Sequence, residues 1–198
     1  DGTIEEGDLF LTTDPYACNG AISHINDWLL LRPIFKDGRL IAYAAMFGHM
    51  TDVGGKVPGS LPTDAREIFE EGIRVPPLKI FKNDELQSDV LNLILHNSRM
   101  PTWNRSDFNA LVAAMRTAEK RVIEMAERFG DDEYYSALDE LLARNKRAMA
   151  RLIKDTVPTK KQHFEDYICD DGLGMGPYRI KCSMWRDKDK VIFDFDGT

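Results

Sequence analysis

The chain has 198 residues, 43% hydrophobic and 30% charged, with 26 Lys and Arg against 33 Asp and Glu for a net charge of −7. That length permits one substantial core, or a compact domain with a protruding part, and the composition is ordinary for a globular protein. The acidic balance and the absence of a Lys/Arg-rich run exclude a nucleic-acid surface, no apolar stretch is long enough to cross a bilayer, and no signal-peptide pattern opens the chain. Neither nucleic acid nor membrane is therefore expected as a partner. Cys18, Cys169 and Cys182 are widely spaced and form no C-x-x-C pair, which fits a reduced, cytoplasmic setting. The chain starts at Asp1 rather than methionine and stops as an apolar alternation over 191–195 runs out, so it reads as a segment of a longer subunit.

Residues 7–13 (Gly-Asp-Leu-Phe-Leu-Thr-Thr) read as a strand running into the turn Asp14-Pro15-Tyr16. Two apolar runs follow, 28–35 and 40–47, joined by Lys36-Asp37-Gly38-Arg39. Asp-Gly between strand-like runs predicts a hairpin with a two-residue turn, because both central residues need φ > 0. With residue 36 opposite 39, a regular ladder sets 26 opposite 49 and 27 opposite 48. Two His-x-x-Asp motifs, His24-Ile-Asn-Asp27 and His49-Met-Thr-Asp52, flank this hairpin, so its open end gathers two imidazoles and two carboxylates. Those are the ligands of a divalent metal site; a structural or purely acid–base role uses the same groups. Imidazole with carboxylate suits Mn²⁺, Fe²⁺ or Zn²⁺ better than Ca²⁺, and with no cysteine nearby a structural zinc is not expected. Asn26 and Thr51 sit inside the motifs and can orient ligands from behind. Asp14 either adds an acid behind the site or makes a simple Asx-type turn.

Residues 52–62 hold three glycines and two prolines, a shaped loop whose amides can cradle an anion or simply turn tightly. It is no Walker loop, lacking G-x-x-x-x-G-K-[ST]. Thr63 is the expected N-cap of a short helix over 64–71, closed by Gly72. A brief strand over 78–81 leads to a second helix near 84–96. From Ser106, Phe108, Leu111, Val112, Met115, Ala118, Val122, Met125 and Phe129 recur at helical spacing until Gly130. A further helix follows Asp131-Asp132, and the short connection predicts an antiparallel helical hairpin. Gly172-Leu-Gly-Met-Gly176 reads as a flexible loop rather than a dinucleotide fingerprint, since no strand precedes it and no helix follows. Strands over 178–186 and 191–195 close the chain, and His96 and His163 stand as capping or surface residues.

In order, Gly7-Asp8…Asp14-Pro15-Tyr16, His24-x-x-Asp27, Gly48-His49-Met-Thr-Asp52-Val-Gly54-Gly55-x-x-Pro58-Gly59-Ser60, Glu70-Glu71-Gly72-Ile-Arg74-Val-Pro76-Pro77, Asn97-Ser98-Arg99-x-Pro101 and Asp194-Phe-Asp-Gly197-Thr198 resemble the hydantoinase B family. That family includes subunits of ATP-dependent hydantoinases, oxoprolinases, and acetone and acetophenone carboxylases. Within it, Ala21-Ile-Ser-His24-Ile-Asn-Asp27-Trp28 and Met46-Phe-Gly-His49-Met are most similar to the α subunit of acetone carboxylases. The resemblance implies a Mn²⁺ site whose ligands match His24, Asp27 and His49, with Asp52 a further ligand, a base or a partner of His49. It further implies an ATP-using, hydantoinase A-like β subunit and a small γ subunit in a hetero-oligomer. Acetone and bicarbonate are the implied substrates of an ATP-dependent ligase that yields acetoacetate; hydantoin or oxoproline cleavage and acetophenone carboxylation are the alternatives.

The expected fold class is α+β. It comprises a mixed β-sheet region with the metal-bearing hairpin (1–104), a long antiparallel helical hairpin (105–157), and a C-terminal β-hairpin returning to the sheet region (158–198). A segment of that kind is expected to be inactive by itself.

Overall fold

The computed structural model describes residues 4–198, which divide into two compact units, the first running to Arg128 and the second over Phe129–Thr198. The class is α+β, as the sequence predicts, with three α-helices and two antiparallel sheets.

The first unit carries a five-stranded sheet in the order β3-β2-β1-β4-β5, built from β1 (Leu9–Thr12), β2 (Asp27–Lys36), β3 (Arg39–His49), β4 (Leu78–Lys82) and β5 (Glu85–Leu86). Every pairing is antiparallel. Two helices follow, α1 (Ser88–His96) and α2 (Pro101–Phe129), the latter with proline at its first position, where the missing N–H has no intrahelical partner to lose. One face of the sheet packs on α2. Trp28 meets Phe108 edge to face at 6.3 Å, and Phe81 stacks on the same ring at 6.4 Å. A Cβ on Gly48 would stand 3.0 Å from a methyl of Leu111, so any larger residue on β3 here would require that side chain to shift. Leu9, Leu11, Leu30, Ile34, Ile80, Leu91 and Met115 complete the buried core.

Arg32 lies on this same face, nearly all buried, with Nε donating to Glu119 and Nη2 to Asp84, each at 2.9 Å. Burial lowers its affinity for the proton, but the hydrogen bonds and charges of Glu119 and Asp84 outweigh that and raise its pKa. A buried cation deprived of its partner is costly, whereas an apolar replacement of both is often neutral. Glu119→Ala is expected to cost about 2–3 kcal/mol in urea denaturation, and Arg32→Met with Glu119→Ala much less.

Two sequence expectations are revised. The helix expected over 64–71 is only a 3₁₀ turn, Ile68–Glu70, and Thr63 caps nothing. Glu70 instead folds back to accept from the N–H groups of Arg66 (2.7 Å) and Glu67 (3.3 Å) and pairs with Lys56; the Lys56 hydrogen bond, then that of Arg66, draws its pKa down to about 2. The second helix begins at Ser88, not near residue 84. Asn83 and Asp84 adopt φ of 49° and 60° and make a two-residue hairpin turn between Lys82 and Glu85, a conformation that Asn and Asp tolerate better than other side chains.

In the second unit, α3 (Asp131–Thr156) precedes a three-stranded sheet of order β6-β7-β8, from β6 (Gln162–Ile168), β7 (Tyr178–Asp187) and β8 (Lys190–Asp194). The predicted terminal hairpin is present, with Asp187 paired to Lys190 across its turn. Its hydrogen bonds, however, go to β6 and not to the first sheet. β6 escaped the sequence reading because all seven of its residues are exposed, so it carries no buried alternation.

Candidate metal centre

The hairpin β2–β3 positions the site, but not in the register that its turn dictates. Lys36 faces Arg39 and Phe35 faces Leu40 as expected, whereas Ile34 pairs with Ala42. Ile41 is therefore an extra residue, a β-bulge, and every pair beyond it moves by one: Asp27 stands opposite His49 and Trp28 opposite Gly48. The change decides the chemistry. In the regular ladder Asp27 and His49 fall on opposite faces; with the bulge they share one, because directly opposed residues point the same way. The cause is a conflict of parity. Ile41 and Ala44 are both buried although they differ in parity along the strand, and the small Ala44 and Gly48 must face α2. One bulge satisfies both demands.

Just beyond the ladder, the N–H of Asp27 donates to the carbonyl of His24, and Met50 N–H donates to the carbonyl of Asn26. This turn returns His24 over Asp27. The carboxylate lies between two imidazoles, with Oδ2 at 3.1 Å from Nδ1 of His24 and Oδ1 at 3.2 Å from Nδ1 of His49. The rings meet edge to face with centroids 4.9 Å apart. Asp27 is buried, and the two histidines are roughly two-fifths exposed, at 36% and 45% of their side chains.

Whether this set suits a cation follows from its own geometry. One ligand atom from each of His24, Asp27 and His49 lies within 4.8 Å of the others. Ligands bonded at about 2.0–2.2 Å to one ion stand up to about 4.4 Å apart, so small side-chain rotations close the set. Nδ1 of His24, though near Asp27, is a buried nitrogen with no hydrogen-bond partner, an arrangement that a bound cation relieves. Two neutral nitrogens and one carboxylate oxygen fit Mn²⁺, Zn²⁺ or Fe²⁺, and leave coordination positions on the exposed side.

Asp52 is not among these groups. Its Oδ1 accepts from the N–H of Gly54 (3.1 Å) and of Arg99 (2.9 Å), and its Oδ2 from Gly59 N–H (3.0 Å) and Arg99 Nη1 (2.9 Å). The glycine-rich loop does cradle an anion, and that anion is the chain's own Asp52. Burial raises the pKa of this carboxyl, but the N–H groups of Arg99 and Gly59, the Arg99 guanidinium and Gly54 N–H outweigh it and hold it below the ordinary carboxylate range. With four donors on two oxygens, Asp52 has no lone pair free for a cation or a substrate proton. It anchors the loop that follows His49.

Asn26, fully buried, donates to the carbonyls of Met50 (3.1 Å) and Gly59 (3.2 Å), pinning the main chain on either side of that loop. It touches the backbone around the site rather than a ligand side chain. Asp14 makes the simple Asx-type turn, accepting from the N–H of Tyr16 and Ala17, with its other oxygen 3.3 Å from Arg74.

Arg99 is the residue that site reasoning from the sequence missed. Besides Asp52 it donates to the carbonyls of Gly54, Val57 and Gly55, clamping the loop from outside. Ser98 and Asn104 both donate to the carbonyl of Asp52, at 2.7 and 2.6 Å. Its signals were the polar run Asn97-Ser98-Arg99 between two helices and the place of that run among the family-like motifs.

A bulged hairpin presenting a His–Asp–His cluster on an α+β scaffold is the arrangement that comparisons with known proteins place in a family. The chain belongs to the hydantoinase B/oxoprolinase family, which it matches over residues 1–198. It is 36% identical over 181 residues to caprolactamase subunit beta of Pseudomonas jessenii, covering 91% of this chain and 30% of that protein. To the acetophenone carboxylase delta subunit of Aromatoleum aromaticum it is 30% identical, over 98% of this chain and 28% of that protein. The crystal structure of the ATP-dependent caprolactamase from Pseudomonas jessenii superposes with a TM-score of 0.87 at 32% identity, over 97% of this chain and 32% of that one. A nucleotide-free acetone carboxylase structure shares the fold, with a TM-score of 0.85 at 20% identity over all of this chain and 27% of that one. The chain thus spans about a third of the length of these relatives. Among the described residues no helix is long and apolar enough to cross a membrane.

Proposed function

We propose that this chain is the metal-bearing portion of a subunit in an ATP-dependent complex that activates a carbonyl compound, with His24, Asp27 and His49 as ligands of Mn²⁺ or Zn²⁺. The observation that carries the reading is the convergence of two imidazoles on the two oxygens of one buried carboxylate. When bound, such a cation supplies Lewis-acid polarisation of a carbonyl oxygen. The chain's own residues do the rest. Asp27 orients both imidazoles through its separate oxygens, and its burial keeps competing water from the carboxylate. Asn26 ties Met50, just past the end of β3, to Gly59 in the loop, while Asp52 and Arg99 fix the loop that follows His49.

In the ketone reading the complex carboxylates acetone with bicarbonate to acetoacetate, ATP being consumed by a hydantoinase A-like β subunit with a γ subunit completing the assembly. The amide reading, opening of a lactam or hydantoin, is favoured by the 36% identity to caprolactamase subunit beta. The assembled complex, given ATP, separates them. Acetoacetate from acetone and bicarbonate supports the first, and ring-opened amino acid from caprolactam or a hydantoin supports the second. Turnover that persists unchanged in the His49→Ala complex defeats both.

A further inference from the structure

Between the end of α1 and the start of α2 the chain turns over residues 97–100 and leaves a cleft of about 650 Å³. That volume falls within the range of small-molecule sites. Its polar lining is Asn92 and His96 from α1, Ser98 and Arg99 from the connection, and Thr102 and Arg105 from α2. The charged groups are two guanidiniums, with an imidazole beside them and no carboxylate in the lining. In a chain of net charge −7 this is a local reversal of sign, and a concave surface of one sign concentrates its field on whatever enters.

The acceptors that would cancel this field are already engaged. At the end of α1 the carbonyls of Leu93, Ile94 and Leu95 accept from Asn97 Nδ2, Asn97 N–H and Ser98 N–H. The hydroxyl of Ser98 donates to the carbonyl of Asp52. Arg99 is shared, since its Nη1 holds the Asp52 carboxylate while the side chain stays two-fifths exposed. Arg105 is not shared with any acid. Its Nη2 donates at 2.7 Å to Oδ1 of Asn92, a neutral amide that bridges the two helices and fixes the guanidinium without neutralising it. Among the described residues no carboxylate pairs with Arg105.

We propose that this cleft binds a phosphate group, with the Arg105 guanidinium as its principal contact and Arg99, His96 and Thr102 around it. A guanidinium presents paired N–H donors at the spacing of two phosphate oxygens, and a dianion gains more from two such cations than a single negative charge does. The cleft leaves room for an organic portion beyond the phosphate. It uses none of His24, Asp27 and His49, so this site goes beyond the metal reading and either can fail without the other.

Inorganic phosphate, a phosphate monoester and a nucleotide all carry the group in question. The full chain, without added metal, is titrated calorimetrically at low ionic strength with inorganic phosphate, phenyl phosphate and ADP, alongside Arg105→Gln and Arg105→Lys. Saturable binding of at least one is expected. Arg105→Gln should weaken it about tenfold or more, the loss of one charge-assisted contact. Arg105→Lys should weaken it less, because the charge remains while the paired donors are lost. Affinity should also fall as salt is raised. Equal affinity for inorganic and phenyl phosphate supports a site for the free ion, and tighter phenyl phosphate or ADP supports one for an organic phosphate or a nucleotide. Arg105 is exposed, so both variants should unfold at the temperature of the parent. No saturable binding of any of the three, or binding that Arg105→Gln leaves unchanged, overturns the proposal.

Discussion

Replacing His49, His24 or Asp27 with alanine is expected to lower the affinity of the chain for Mn²⁺ or Zn²⁺ about hundredfold or more, as read by calorimetry or by metal retained after dialysis. Each is one of the three proposed protein ligands, and loss of a group that merely supports a ligand already costs about 10–100-fold. Asp27 is expected to be the most sensitive, because in the proposed site it offers an oxygen to the cation while its two carboxylate oxygens lie 3.1 and 3.2 Å from the imidazole nitrogens. Asp27→Asn discriminates between these roles, since the amide keeps the shape and one acceptor but loses the charge. Thermal unfolding of the metal-free His24→Ala and His49→Ala variants should shift little, because both histidines are substantially exposed. An unchanged metal stoichiometry in His49→Ala would remove the site from consideration.

Asp52 gives the second large effect, and it falls on stability. Asp52→Ala strands the N–H groups of Gly54, Gly59 and Arg99 and releases the Arg99 guanidinium. About 3 kcal/mol is expected in denaturant titration, with the guanidinium's share reduced because Arg99 is two-fifths exposed. Its sign with pH follows from the depressed pKa. The folded state holds Asp52 ionised at a pH where the unfolded chain has taken up the proton. The stabilisation is therefore fully present above about pH 4 and is lost as pH falls through the lower folded-state value. The difference in stability between the parent and Asp52→Asn should accordingly shrink on acidification. A gap that stays constant from neutral pH to pH 3 would contradict the anchoring role. Metal affinity in Asp52→Asn should drop far less than in His49→Ala, because Asp52 acts on the loop after His49 and not on the cation.

The two His-x-x-Asp motifs look equivalent in the sequence, and their separation is tertiary in origin. Both place an acid three residues after an imidazole. The first acid begins a strand and faces inward across the ladder to His49. The second turns under a glycine-rich loop where three N–H groups and a guanidinium claim it. Three of those four donors come from Gly59 and Arg99, 7 and 47 residues away, so no local pattern around Asp52 announces them. Arg99 was hidden for the same reason. It lies in a short polar run whose partners, the carbonyls of Gly54, Gly55 and Val57, are backbone groups without a side-chain signature.

By itself the sequence determined the α+β class, the Asp37-Gly38 hairpin and the two long helices, and it gathered two imidazoles and two carboxylates at the hairpin's open end; the choice of His24, Asp27 and His49 among them came from the family resemblance. All but that choice are local properties: turn residues that accept positive φ, apolar spacing of three and four, and paired motifs at the two ends of one hairpin. Tertiary structure decided the rest. The extra residue at Ile41 puts Asp27 and His49 on one face, because Ile41 must be buried while Ala44 and Gly48, of the other parity, must meet α2. A side-chain period of two makes a one-residue shift the difference between a cluster and two residues on opposite sides of a sheet.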